Sequence, residues 1–285
     1  MRALLIVLLV AACGDDGPAN PDAGVVTTDK CDYVPMTPTA GTGGTVTAAP
    51  LQAGAADEIL PVPVGTALGG YTARAGFLGA AGVVDTRKIA LASTFNPSIG
   101  VAAAPRVKAL ALTAGAETVV ILKVDMIYVY EGMVYDLEQR LGPTFAGKII
   151  ITSSHSHSAW AQQYYGGPLQ LGGGVFRELV YGRFLDAFES TARAALAARR
   201  AAKIGNYFDG NFDPMNAVNH DRRGENDMLP GGNVKDNHFY MIRVDGTDDV
   251  PIAAVPVFGE HGTLNGEDNP LASTDAPGAL ERVLQ

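Results

Sequence analysis

Hydrophobic positions along the chain follow two periods, and the switches between them predict the elements. Val107–Leu112 and Thr118–Asp125 are β-rich runs separated by the turn-length spacer Thr113–Glu117, which contains Gly115; they predict a hairpin. The second run is apolar almost throughout, which suits a strand covered on both faces. Val129, Met133, Leu137 and Leu141 then recur at helical spacing and stop at Gly142-Pro143, predicting a helix over Val129–Leu141. The β-branched run Lys148–Thr152 follows. Strand, helix, strand in that order predicts a crossover, and the carboxyl end of its second strand is the edge at which open α/β sheets bind ligands.

Trp160–Val175, full of Gly, Gln and Tyr, reads as a loop long enough to act as a flap. Phe176, Leu179, Val180, Phe184, Phe188, Ala192 and Leu196 form one stripe, predicting a helix over Phe176–Lys203 that ends at Gly205. His238–Val244 and Pro251–Phe258 predict a second hairpin across Asp245–Asp249, its later strand buried. The fold class expected from this order is α/β, a mixed sheet with flanking helices.

Composition changes the picture mainly at the amino terminus. The chain has 285 residues, 47% of them hydrophobic, enough for a sizeable core. Residues 1–12 carry Met1-Arg2 and a short apolar run, the form of an export signal rather than a permanent membrane helix. Val10-Ala11-Ala12-Cys13 resembles the lipobox of bacterial lipoproteins. An acylated Cys13 would anchor the exported chain at the cell envelope, each buried methylene contributing ~0.8 kcal/mol; an ordinary secretory signal is the alternative. Cys31 then has no cysteine partner. Residues 13–58, poor in large apolar groups, predict a flexible tether, and 59–285 a folded domain in which Pro61, Pro63 and Gly69-Gly70 punctuate the first stretch. A formal charge of −9, with basic residues in nothing longer than short pairs such as Arg199-Arg200 and Arg222-Arg223, argues against a nucleic-acid partner.

Candidate chemistry gathers at two strand ends. Ser154-His155-Ser156-His157-Ser158 follows the Lys148–Thr152 strand, and residues two apart on extended backbone project from one face. Gly259-Glu260-His261-Gly262-Thr263 follows the last predicted strand. Imidazoles at two strand ends predict a convergent metal site, for which Glu260, Glu267 or Asp268 are candidate carboxylates. Asp125 ends its own strand as a site candidate or as a cap for the following helix. His220 and His238, in polar surroundings, read as surface residues. Tyr164, Tyr165 and Trp160 suit the lining of an apolar groove or ordinary packing.

Taken together, Gly69-Gly70-Tyr71, the strand ending Val124-Asp125, Ser154–Ser158 and Phe258-Gly259-Glu260-His261-Gly262-Thr263 resemble, in order and spacing, the neutral/alkaline, non-lysosomal ceramidase family. The resemblance runs from about Ile59 to Gln285 and implies the amino-terminal part of a ceramidase-like catalytic domain, incomplete at its carboxyl end. It also implies a zinc-dependent amidase cleaving the N-acyl bond of ceramide, with His155 and His261 as zinc ligands and His157 as a catalytic residue facing the substrate. The pattern departs from the family at Ala159-Trp160-Ala161-Gln162, where members have Gly-Pro-Gly-Gly. It departs again at Asn211-Phe212-Asp213-Pro214, where a substrate-facing arginine is replaced by Phe212. The family's further zinc ligands, a glutamate and a tyrosine, lie beyond the stretch that matches. A non-catalytic envelope lipoprotein, acting as a binding module, is the alternative from another class. A barrel amidohydrolase is disfavoured because several strands precede His155 and few elements follow.

Overall fold

The computed structural model describes residues 33–41, 46, 48–75, 95–166, 168–215, 217–218 and 235–285. The expected signal segment, Cys13, Cys31, Arg222-Arg223 and His220 lie outside the described residues.

The described residues form nine strands and three α-helices: β1 (Leu51–Ile59), β2 (Gly100–Val101), β3 (Arg106–Ala114), β4 (Glu117–Val124), α1 (Glu131–Leu141), β5 (Ile149–Ser153), α2 (Glu178–Ala197), β6 (Arg200–Asp209), β7 (Phe239–Gly246), β8 (Pro251–Phe258), β9 (Leu271–Ala272) and α3 (Asp275–Leu284). Seven form one sheet in the order β5-β4-β3-β1-β6-β7-β8, antiparallel except for β4 and β5; β2 and β9 pair separately, in parallel. The expected α/β fold with a mixed sheet and flanking helices is therefore present. So are both hairpins and the β4–α1–β5 crossover.

Alternation sorts the sheet into two faces. Val107, Ala109 and Ala111 of β3 and Val120, Leu122 and Val124 of β4 pack with Met133 and Leu137 of α1 and with Val180, Phe184 and Phe188 of α2 in the main core. A smaller cluster of Ala53, Leu110, Ala202 and Val244 lies on the other face. On that face Glu281 of α3 pairs with Lys108, at 2.9 Å, and with Lys123, fastening the last helix to the β3–β4 hairpin.

Three expectations are corrected. The tether expected to run to residue 58 ends sooner: Leu51–Ile59 is strand, at the centre of the sheet, because its small residues let a helix lie directly on it. Ahead of it, Tyr33 is fixed by hydrogen bonds to Asp136 and Tyr181 and stacks on Phe176. The long helix expected to reach Lys203 stops at Ala197. Arg199 donates to the Leu196 carbonyl and to Thr113, turning the chain so that Arg200–Asp209 becomes β6. Finally, β8 is an edge strand with most of its residues partly exposed, not a buried one.

Candidate metal centre

The two histidine stretches converge where β5 and β8 run out. After β5, Ser154 N–H still bonds the Val124 carbonyl, and the chain then turns sharply through His155, which has a left-handed φ of 56°. Such a backbone is uncommon for a residue with a Cβ. It swings the His155 ring back so that Nδ1 lies 2.7 Å from the Ile127 carbonyl. A carbonyl can only accept, so Nδ1 carries the proton and Nε2 keeps its lone pair.

His157 is 8% exposed and held at both ends of its peptide: its N–H donates to the Gly262 carbonyl at 3.0 Å and its carbonyl accepts from Arg74 at 2.6 Å. The first of these bonds links the His157 segment to the residue after His261. Gly70, at φ 98°, packs against the His157 ring, and a Cβ there would overlap Nδ1, Cγ and Cβ of the imidazole. Gly70→Ala therefore combines backbone strain with a clash. It is expected to weaken metal binding about tenfold and to destabilise the protein by about 2 kcal/mol, read by metal titration and urea unfolding.

His157 Nε2 and His261 Nε2 stand 2.8 Å apart, and one ligand atom from each of His155, His157 and His261 lies within 4.8 Å of the others. The rings make a compact triangle, with centroids 5.0, 5.0 and 4.6 Å apart. Burial, reinforced by positive charge on His261, His155 and Arg74, pushes the His157 imidazole down to about 4, so it is neutral at pH 7. Imidazoles with converging nitrogens are the donor set that suits a borderline-soft divalent cation such as zinc.

The other sequence candidates fall elsewhere. Asp125 is buried beside β3, accepting from the Arg106 N–H at 2.9 Å and from Lys123 at 2.5 Å, and caps no helix. Glu260, Glu267 and Asp268 stand outside the histidine group. His238 is an exposed residue paired with Asp236, as expected of a surface histidine. Trp160 is 3% exposed, in the main core, and lines no groove. The loop that follows is anchored at its root, where Gln162 accepts from Ala67 N–H and Gln163 donates to the Tyr128 carbonyl. Tyr128 and Tyr164 extend an aromatic wall away from His155.

Two important residues escaped the sequence reading. Arg74 gives no spacing signal, since its role consists of contacts made across the fold. Asp275 accepts hydrogen bonds from Leu264 N–H, Asn265 N–H and the Asn265 side chain, pinning the segment that follows His261. Its signal was an acidic residue two positions before Pro277, the mark of a helix start.

No protein-family model matches the chain, and no curated protein matches it. Among solved structures, neutral ceramidase from Pseudomonas aeruginosa superposes with a TM-score of 0.60 at 14% identity, covering 80% of this chain and 35% of that one. A ceramidase complexed with C2 gives 0.58 at 14% identity, covering 80% and 34%. The chain thus spans about a third of the length of these structures. Likeness at this identity speaks for the fold, and the fold is the mixed α/β arrangement found in the neutral ceramidases.

Proposed function

We propose that the chain forms the histidine-bearing part of a ceramidase-like, zinc-dependent amide hydrolase acting on a lipid-like N-acyl substrate such as ceramide. The observation that carries this reading is the convergence of His155, His157 and His261, with ligand atoms within 4.8 Å, at the strand ends of a fold shared with neutral ceramidases. In it, His155 and His261 hold the metal and His157 faces the substrate.

Bound zinc would supply a Lewis acid for the amide carbonyl and would lower the pKa of a bound water to ~7. The chain's own residues do the rest. The Ile127 carbonyl fixes the tautomer of His155 and raises the basicity of its Nε2, the usual part of an outer partner of a ligating histidine. His157, kept neutral by burial, can hold a hydrogen bond to a substrate oxygen without adding a proton of its own. Asp275 pins Leu264 and Asn265, just after His261. No described helix is long and apolar enough to cross a membrane. The membrane partner in this reading is reached through the acylated Cys13, which leaves the enzyme exported and held at the cell envelope.

Metal analysis of the purified protein, with hydrolysis of a fluorogenic N-acylsphingosine before and after chelation, tests the proposal. Near-stoichiometric zinc and hydrolysis that chelation abolishes and zinc restores are expected. Zinc without hydrolysis would make the chain a binding module, and the absence of both zinc and hydrolysis would overturn the metal reading.

A further inference from the structure

Arg74 is 2% exposed, yet none of its hydrogen bonds goes to a carboxylate. Nη1 donates to the Gly69 carbonyl at 2.9 Å and to the His157 carbonyl at 2.6 Å. Nε donates to the Glu267 carbonyl at 3.1 Å, and Nη2 to those of Gly266 and Asn269, both at 3.2 Å. Its Cζ lies 4.8 Å from the centre of the Tyr71 ring, which itself meets the His157 ring edge-on. A guanidinium has five N–H groups, and this one makes five bonds, all to main-chain oxygens. Burying a cation is costly, and the Glu267 and Asp268 carboxylates favour its charge without hydrogen-bonding it, so what these bonds join matters.

They join three stretches that lie far apart in the sequence. Gly69 adjoins Gly70, which packs on the His157 ring; His157 is one corner of the triangle; and Gly266–Asn269 belongs to the segment carrying His261. From the spread of these carbonyls, we infer that Arg74 is a positioning residue that sets the spacing of His157 and His261 and thereby the affinity of the histidine group for a metal. The inference rests on the metal reading given above. The planar fork reaches carbonyls on three sides at once, and the point charge of a lysine does not reproduce that geometry.

Cobalt(II) titration, followed by its visible absorption, tests the assignment in wild type, Arg74→Ala, Arg74→Lys and Leu137→Ala, the last a core variant that lowers stability away from the centre. Arg74→Ala is expected to weaken cobalt binding about tenfold or more, the usual cost of losing an outer partner. Arg74→Lys is expected to recover little of this. Methylguanidinium, but not methylammonium, should restore affinity and the wild-type spectrum to Arg74→Ala. If that variant does not fold, Arg74→Lys carries the same measurement. Affinity within twofold of wild type in the Arg74 variants, a loss no larger than that of Leu137→Ala, or no rescue by methylguanidinium would each overturn the role of Arg74 alone. A wild type that binds no cobalt overturns the metal reading and the role of Arg74 with it.

Discussion

Changing His155 to glycine is expected to abolish metal retention while leaving the metal-free protein as stable as wild type to within about 1 kcal/mol. The two effects have separate causes. Loss of one of three converging imidazoles removes a ligand outright, and outer partners alone are worth ten- to a hundredfold in affinity, so a fall of more than about a hundredfold is expected. Against this, His155 sits at φ 56°, a conformation that costs an L-residue roughly 1–2 kcal/mol and a glycine nothing. Relief of that strain offsets the lost hydrogen bond to the Ile127 carbonyl, worth about 1 kcal/mol. Zinc titration and urea unfolding of the metal-free variant measure the two quantities independently. A stability loss of about 3 kcal/mol would identify His155 as a structural residue instead.

The largest effect on the fold is expected from Gly54→Ala. A Cβ at this position of β1 would lie 2.6 Å from both the Ala198 carbonyl carbon and the Arg199 nitrogen, and closer still to the Ala195 carbonyl oxygen. These are main-chain atoms at the end of α2, and no rotamer change moves them aside. The helix must lift from the sheet, at a cost expected to exceed about 3 kcal/mol. Gly182, on α2, provides the contrast: nothing lies within 4 Å of a Cβ there, and Gly182→Ala is expected to stabilise by about 1 kcal/mol. Denaturant midpoints of the two variants should move in opposite directions. An unchanged midpoint for Gly54→Ala would refute the direct seating of α2 on β1.

The same residue explains what the sequence concealed. Leu51-Gln52-Ala53-Gly54-Ala55-Ala56 lacks the large side chains by which a strand announces itself, and it reads as tether. Its smallness serves close approach rather than flexibility, with Ala53 fully buried. β6 was hidden for a different reason: alanine and arginine continue unbroken from α2 into Ala201-Ala202-Lys203, and the turn is made by Arg199 bonding to a distant hairpin. By contrast, β3, β4, α1 and β5 were legible because their large or β-branched apolar residues recur at strand or helix spacing, as do Val120, Leu122 and Val124 of β4 and Met133, Leu137 and Leu141 of α1. The His155 and His157 pair was legible as part of that crossover. Convergence with His261 followed from the strand ends, although β8 lies at an edge and the triangle is closed by the Gly262 carbonyl and Arg74. Arg74 acts through main-chain groups as far as 195 residues away, and such contacts leave no pattern in the residues they touch, whereas Asp275 showed only as the start of a helix.

The central place of β1 also bears on how the chain comes to be folded. Its ladder to β3 extends over nine residue pairs, but on its other side Leu51, Gln52 and Ala53 meet only Ala202, Ala201 and Arg200, residues from the opposite half of the polypeptide. As the first described strand to leave the ribosome, it can complete one edge early. It must then hold the other bare until α2 and β6 have been delivered. Closing so distant a pairing is slow, and an unpaired strand edge is an aggregation hazard in the interval. Assembly of the second half of the sheet, which carries His261 to its partners, is therefore the expected late step of folding. The histidine triangle exists only in molecules that have passed it.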